Sequence, residues 1–331
     1  MNKKRLLTGL VIAAMSAALM GCGASGGSKS SGELPKSIEV QVPAKAGGGT
    51  DVMARTLGQE VAAQTGSNVT IVNNTDGGGV VSMETVRTAK GDGAKILQYH
   101  ATMLIKSATK VYDKTATDDF KVFAVSQGTE KGQYVIVTSA DSDMKTIDDF
   151  VNRGKSGEIK MGIETGGTSH VITGLMAKAA GINVKYVESG SDTEKLTALV
   201  GNTIDACIVN VNQAKQYVES GKANALAIVT NGEEGARSSV LPDVPSLIES
   251  GIDCFFVSYN IFAGPKDMDE AVAKKLYDAY AAAAQSKAVN DVLEPAGMAM
   301  EFLPYEEGSK KLAEMQADIN SVVEELGLVQ K

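Results

Sequence analysis

Three short stretches of this 331-residue chain carry residue types suited to holding an anion. The first is Gly47-Gly48-Gly49 followed by Thr50 and Asp51. The second is Gly77-Gly78-Gly79, and the third is Gly166-Gly167 followed by Thr168, Ser169 and His170. A glycine run lets the main chain turn sharply and press its N–H groups against a ligand, because no Cβ stands in the way. Where a helix starts just beyond such a turn, its unpaired amides and its dipole favour a carboxylate or a phosphate. Hydroxyls such as those of Thr168 and Ser169 ordinarily cap the helix, a role compatible with donating to the same ligand. An isolated glycine run is more often a plain tight connection. Two triple-glycine turns, each leading into a helix, weigh toward ligand contact.

Other chemistries fare worse. Neither triple-glycine turn is followed by Gly-Lys-Ser/Thr and neither has the dinucleotide fingerprint spacing, so nucleotides are not expected. His100 and His170 are the only histidines, far apart and without a carboxylate at metal-ligand spacing. No metal and no cofactor is expected; His170 should donate a hydrogen bond or cap its helix, and His100 should line the cleft. Cys207 lies in the apolar run Ile204 to Val209, which supplies neither a base nor an electropositive surround for a nucleophile. Cys207 and Cys254 could form one bridge, although a free buried thiol is the plainer expectation. Beyond the leader, the arginines are Arg55, Arg87, Arg153 and Arg237, none in the glycine turns, so no bidentate carboxylate clamp is evident. Without a paired acid and base or an activated nucleophile, the chain does not read as an enzyme.

These residues must be positioned by strands and helices, and the pattern for both is clear. Ile38 to Val42 alternates apolar and polar residues, the period of a strand with two unlike faces, and Pro43 stops its ladder. Thr50 or Asp51 can cap the following helix, whose face is Met53, Leu57 and Val61 and whose end is Gly66. The same grammar recurs. Strands are expected at 69–72, 96–99, 120–125, 134–137, 158–163, 184–187, 203–209 and 223–229. Helical faces are expected at Val80, Met83 and Val86; at Val171, Leu175 and Ala179; at Leu196, Leu199 and Val200; and at Ala214 and Tyr217. Two longer helices, 268–287 and 305–326, close the chain. This alternation predicts a doubly wound α/β architecture with ligand turns at strand C-termini. The strand ends at His100-Ala101 and at Asn210 join the three glycine stretches as expected ligand contacts.

The start of the chain reads as an address. Lys3, Lys4 and Arg5 precede an apolar run, Leu6 to Met20, too short for an ordinary membrane span. It ends in Leu19-Met20-Gly21-Cys22, which resembles a bacterial lipobox. Residues 1–21 are then a signal peptide, Cys22 is lipidated, and 22–33 is a Gly/Ser-rich flexible tether. A diacylglycerol carries two acyl chains, enough for stable anchoring at the outer face of the cytoplasmic membrane. Removing Lys3, Lys4 and Arg5 takes the formal net charge from −8 to −11, three positive charges fewer. So acidic a body is a poor nucleic-acid binder and offers an anion no long-range steering. Attraction must be local.

Taken in order, these motifs resemble the substrate-binding receptors of tripartite tricarboxylate transporters, the TctC or Bug family. The resemblance runs from about Ile38 to Leu328. It is carried by Pro43 with Gly47-Gly48 and Thr50-Asp51, Asn74 with Gly77 and Gly79, and Gly166 with Thr168-Ser169-His170. Gly201 with Asp205, the Leu241-Pro242-Asp243-Val244-Pro245 run with Gly251, and Phe262-Ala263-Gly264-Pro265 complete it. It implies a two-lobed periplasmic-binding-protein fold of type II, with two crossover strands, closing on a small carboxylate. It also implies delivery to one large and one small integral membrane subunit. The chain would cross near Ser126 and return through Phe255 to Phe262. Lobe 1 is then 34–126 with 253–331, and lobe 2 is 127–252, in a body expected to be monomeric.

Three departures bear on the ligand. Lys45-Ala46 replaces an apolar residue and a proline, Thr75-Asp76 replaces a common Arg-Pro, and Tyr259 stands where the family often has tryptophan. Asp76 either points outward or faces a ligand group that is positive or a hydroxyl. The expected function is an extracytoplasmic lipoprotein receptor for a di- or tricarboxylate. A carboxylate sensor feeding a signalling kinase would look the same in sequence.

Overall fold

The structure, a computed structural model, describes residues 33–330. The leader, Cys22 and all of the tether but Glu33 lie outside the described residues. The chain opens with β1 (Ser37–Val42), then α1 (Gly49–Thr65), β2 (Asn68–Asn73), a 3-10 turn at Asp76–Gly79, and α2 (Val80–Arg87). Next come β3 (Lys95–His100), α3 (Thr102–Ala108), α4 (Ala116–Asp119) and β4 (Phe120–Gly128). The stretch 134–229 alternates more regularly: β5 (Tyr134–Ser139), α5 (Ile147–Ser156), β6 (Glu158–Ile163), α6 (Thr168–Ala180) and β7 (Asn183–Glu188). It continues with α7 (Asp192–Val200), β8 (Ala206–Asn210), α8 (Val211–Glu219) and β9 (Ala223–Val229). After a long irregular run come β10 (Tyr259–Pro265), α9 (Glu270–Ala284), α10 (Lys287–Leu293), β11 (Met300–Phe302) and α11 (Tyr305–Glu325).

Two sheets result, ordered β11-β4-β10-β3-β1-β2 and β7-β6-β8-β5-β9. In each, the strand that arrives from the other sheet runs antiparallel: β5 against β8 and β9, and β10 against β3 and β4. The remaining core pairs, β1 with β2 and β3 and β6 with β7 and β8, are parallel. This is the mixed α/β architecture, two sheets with flanking helices, expected from the sequence. Helices on both faces bury β1 more fully than its alternation suggested, down to Gln41 at 4% exposure.

One apolar core lies between β1 and the helices α1 and α9, around Leu57, Phe123, Phe262 and Tyr280. Another fills the second sheet's outer face around Val135, Leu196, Leu199 and Val209. A third is continuous between the sheets, joining Leu97, Val125 and Ile261 to Ile136, Phe150 and Ile208. The last helix ties them together. Leu312, Met315, Ile319 and Val323 form its buried stripe against the third core, and Leu326 just beyond it meets Gly174 of α6.

Several local expectations need correction. Neither Thr50 nor Asp51 caps α1; Gly48 is its N-cap and offers no side chain. The buried face of α6 is Val171, Ile172, Met176 and Ala177, while Leu175 is half-buried and Ala179 exposed, because the helix is covered on two sides. Val200 on α7 is exposed as well. Cys207 and Cys254 are free and buried. Helices α3, α4, α5 and α10 have short or charge-dense faces that gave no clear period.

Candidate functional site

The C-terminal ends of the parallel strands point into a cavity of about 510 Å³ between the two sheets. Its first wall is mainly backbone. Pro43 ends β1, and the chain turns through Gly47, whose φ of +81° suits glycine, into the first turn of α1. Gly48, Gly49, Thr50 and Met53 face the cavity, joined by Gly78 from the second turn. Two of the turn's amides are used internally: Gly47 N–H donates to Asp51 Oδ2 at 2.8 Å and Gly48 N–H to the Lys45 carbonyl at 3.1 Å. The next three, Gly49, Thr50 and Asp51, have no intrahelical acceptor, as at any helix start, and of these Gly49 and Thr50 line the cavity and are left for a ligand. Burial opposes the Asp51 charge, but Arg55 at 2.9 Å and the Gly47 N–H hold its carboxyl below the usual range.

His100 and Thr102 extend this wall. Thr102 N–H donates to His100 Nδ1 at 3.3 Å, which leaves Nε2 as the protonated nitrogen. Enclosure pushes the His100 imidazole down to about 4, with Lys106 and Lys195 adding to the effect and Asp192 opposing it. At neutral pH it is an uncharged hydrogen-bond donor.

The second wall is charged. Glu164, Glu188, Asp192, Glu194 and Lys195 line it beside Thr168, Ser169 and Asn210. Lys195 is only 2% exposed; it meets Asp192 Oδ1 at 2.7 Å and the Ile208 carbonyl at 3.0 Å. Burial opposes the Glu188 charge, but its oxygens accept from the Thr165 and Gly190 N–H groups, which hold it below the usual range. The floor is made by the two crossings, with Glu130, Gln133 and Tyr134 from one and Ser258 and Asn260 from the other. Burial pushes the Tyr134 hydroxyl up to about 12, so it stays protonated.

The walls touch at three places. Thr102 Oγ1 lies 2.9 Å from Thr168 Oγ1, Lys106 Nζ 3.0 Å from Glu164, and Lys45 Nζ 2.6 Å from Glu194. The Lys106 side chain is 1% exposed, whereas the Lys45–Glu194 pair is about half exposed.

Of the residues singled out by sequence, Gly48, Gly49, Thr50, Gly78, His100, Thr168, Ser169 and Asn210 line the cavity. Gly47, Asp51, Gly77, Gly79, Ala101, Gly166, Gly167, His170 and Tyr259 do not. Some of these serve packing instead. A Cβ on Gly79 would lie 2.7 Å from Pro43 Cβ, and one on Gly166 2.8 Å from Val111 Cγ2. His170 packs edge-on against Tyr186 and accepts from the Gly166 N–H at 3.3 Å. Tyr259 is buried while its neighbours Ser258 and Asn260 face the cavity, as strand alternation requires. Asp76 is exposed and outside the cavity, so it points outward. Sequence reading missed Lys106, Tyr134, Ser258, Asn260 and the whole 188–195 segment. One signal was available: Ser191-x-x-Glu194 is a capping box, present at the start of α7.

Known proteins agree with this architecture. The family model described as "Tripartite tricarboxylate transporter family receptor" matches residues 53–328. A relative from Agrobacterium vitis, encoded in the TAR-I ttuE-ttuC' intergenic region, is 29% identical over 73% of this chain and 69% of its own. Protein BugT of Bordetella pertussis is 25% identical over 76% and 77%. Among solved structures, the periplasmic binding protein BugD superposes with a TM-score of 0.77 at 21% identity, covering 89% of this chain and 98% of its own. MatC from Rhodopseudomonas palustris, with bound malate, gives 0.74 at 20% identity, covering 87% and 98%. An R. palustris protein with adipate gives 0.76 at 19% identity, covering 88% and 97%. This chain belongs to the tripartite tricarboxylate transporter receptor family, a family of extracytoplasmic solute-binding receptors and not of enzymes.

Proposed function

We propose that the protein is a lipid-anchored receptor that binds a small di- or tricarboxylate between its two lobes and hands it to a transporter. The transporter would comprise one large and one small integral membrane subunit. The observation that carries this reading is the cavity itself. Free amides of α1, the neutral Nε2–H of His100 and the one hydroxyl proton that the Thr102–Thr168 pair leaves unspent converge on it from opposite sheets. Such donors suit carboxylate oxygens. Malate and adipate occupy the relatives named above, which supports the same ligand class here. Lobe 1, residues 34–126 and 253–331, would move against lobe 2, residues 127–252, about the two crossings. A ligand with a carboxylate at each end engages both lobes only in the closed state, so its differential affinity drives closure.

A thermal-shift screen of the soluble body against succinate, malate, adipate and citrate tests the ligand class. At least one acid should raise Tm with a concentration dependence, since it binds only the folded state; no shift with any of the four would count against it. For the anchor, Cys22→Ser should abolish metabolic labelling with a fatty acid, and a variant that still labels would contradict lipidation at Cys22.

A further inference from the structure

The second wall contains a cation that the glycine turns gave no reason to expect. Lys195 is 2% exposed and lines the cavity, yet it lies in the first turn of α7. That position is unfavourable for a cation, because the helix dipole already places positive charge there. Nor does the core need it: α7 packs inward through Leu196 and Leu199. Apolar side chains commonly match or exceed a buried ion pair in stability, so the pair asks for another reason to be there.

An ammonium group has three N–H donors. Two are engaged, with the Ile208 carbonyl at 3.0 Å and Asp192 Oδ1 at 2.7 Å. Asp192 in turn spends its other oxygen on the Asn210 N–H at 2.9 Å, which fixes the carboxylate against the end of β8. The third N–H of Lys195 has no acceptor among the described residues, and its side chain borders the cavity.

We propose that this third N–H receives one carboxylate of the ligand, with Asp192 as the residue that positions the lysine. The inference rests on the carboxylate reading above. Lys195 then supplies lobe 2 with a buried point charge opposite the amides of lobe 1, whose own lining cation, Lys45, is half exposed and paired with Glu194. An incoming carboxylate makes a charge-assisted hydrogen bond there and meets the positive end of α7 as well. Asp192 has two opposed effects. Its oxygen holds the lysine, while its charge repels the same ligand.

Titration calorimetry with succinate, malate, adipate and citrate on wild type and two variants tests this. Lys195→Met should weaken the best of the four acids by about 10- to 100-fold, the loss of one charge-assisted bond. Asp192→Asn keeps one oxygen as acceptor for the lysine, gives up the bond from the Asn210 N–H and deletes the charge, so it should bind the same acid tighter, by roughly 3- to 10-fold. A purely structural network would weaken binding in both variants. Should Lys195→Met fail to fold, Lys195→Gln retains a donor for the Ile208 carbonyl and takes its place. Wild-type affinity in the lysine variant, or weakened binding in both, overturns the role of Lys195 while leaving the carboxylate reading intact. No heat with any acid on wild type overturns both.

Discussion

The two walls of the cavity solve one problem with different materials. The first, from β1, α1 and the Gly77–Gly79 turn, presents main chain: Gly48, Gly49 and Gly78 bring amides close because no side chain intervenes. The second, from β7, α7 and β8, presents side chains, with Glu188, Asp192, Glu194 and Lys195 held by one another and by backbone donors. The backbone wall has fixed dipoles and few side chains that can carry charge, Lys45 and His100 among them. A side-chain wall can be retuned by single substitutions, and each charge in it needs a partner. The first wall should therefore be sensitive to shape and the second to charge.

The largest effect should come from breaking a partnership in the second wall. Asp192→Ala leaves the Lys195 ammonium with only the Ile208 carbonyl. Stranding a buried charge costs several kcal/mol; with Asp192 itself about a quarter exposed, we expect a loss of about 3 kcal/mol. Asp192→Ala combined with Lys195→Leu should recover most of it, because the unpaired charge is gone. Urea denaturation of the single and double variants checks this. A double variant as unstable as the single one would show that charge is not what the wall is sensitive to.

The first wall should instead break by shape. Gly79 has φ of +92°, and a Cβ there would sit 2.7 Å from Pro43 Cβ. Gly79→Ala combines left-handed strain with overpacking, for an expected loss of about 2–3 kcal/mol. Gly47→Ala shares the positive φ but meets nothing within 4 Å, so it should lose less, about 1 kcal/mol. Equal losses at the two positions would mean that contact with Pro43 contributes nothing.

The unlike materials also explain what could be read in advance. Triple glycines announce themselves in a sequence, and so do βα alternations with glycine at helix ends; hence the first wall and the strand ends at His100 and Asn210 were visible. Lys195 and Asp192 were not, since lysine and aspartate beside a short helix look like a solvated face until the fold wraps β8 around them. Lys106 was hidden the same way, between Ile105 and Ser107 on a helix too short to show a period. Tyr259 illustrates a finer limit. The strand was recognisable, but a resemblance marks a position, whereas facing the cavity depends on strand parity. Ser258 and Asn260 have the parity that Tyr259 lacks. Asp51 shows a third limit, because its carboxylate folds back on the turn it begins.

His100 sits where the two walls' fields overlap, and pH tests it. Its folded value, about 4, lies below the ordinary 6.5, so the unfolded chain takes up a proton first as pH falls. The stabilisation is complete above about pH 6.5 and is lost as pH drops through about 4. Allowing for partial exposure, about 2 kcal/mol is expected. Wild type should therefore lose about that much more stability than His100→Gln between pH 7 and pH 4, measured by urea midpoints. Parallel curves would mean that the imidazole is as solvated folded as unfolded.

The smallest effect belongs to the one ion pair that joins the walls at the surface. Lys45 and Glu194 lie 2.6 Å apart, and each is about half exposed. The hydrogen bond from Lys45, with those from Ser191, brings the Glu194 carboxyl down to about 2. Its folded value is depressed, so the contribution is present above the ordinary carboxylate range and lost as pH falls toward 2. Water and salt screen an exposed pair, and holding two long side chains costs entropy, so Glu194→Gln should change stability by less than about 1 kcal/mol. Geometry gives that small term its use. Thr102 and Thr168 meet out of solvent and Lys106 is buried where it meets Glu164, whereas both partners of the Lys45–Glu194 pair are about half exposed. The Lys45–Glu194 pair is at hand for solvent and would break first under the proposed opening of the lobes. In Glu194→Gln, small-angle scattering of the unliganded protein should show a radius of gyration equal to or slightly larger than wild type. Raising the salt concentration should move wild type toward the variant. A variant that loses 3 kcal/mol, or one whose difference from wild type ignores salt, would place this pair with Asp192 and Lys195 rather than at the surface.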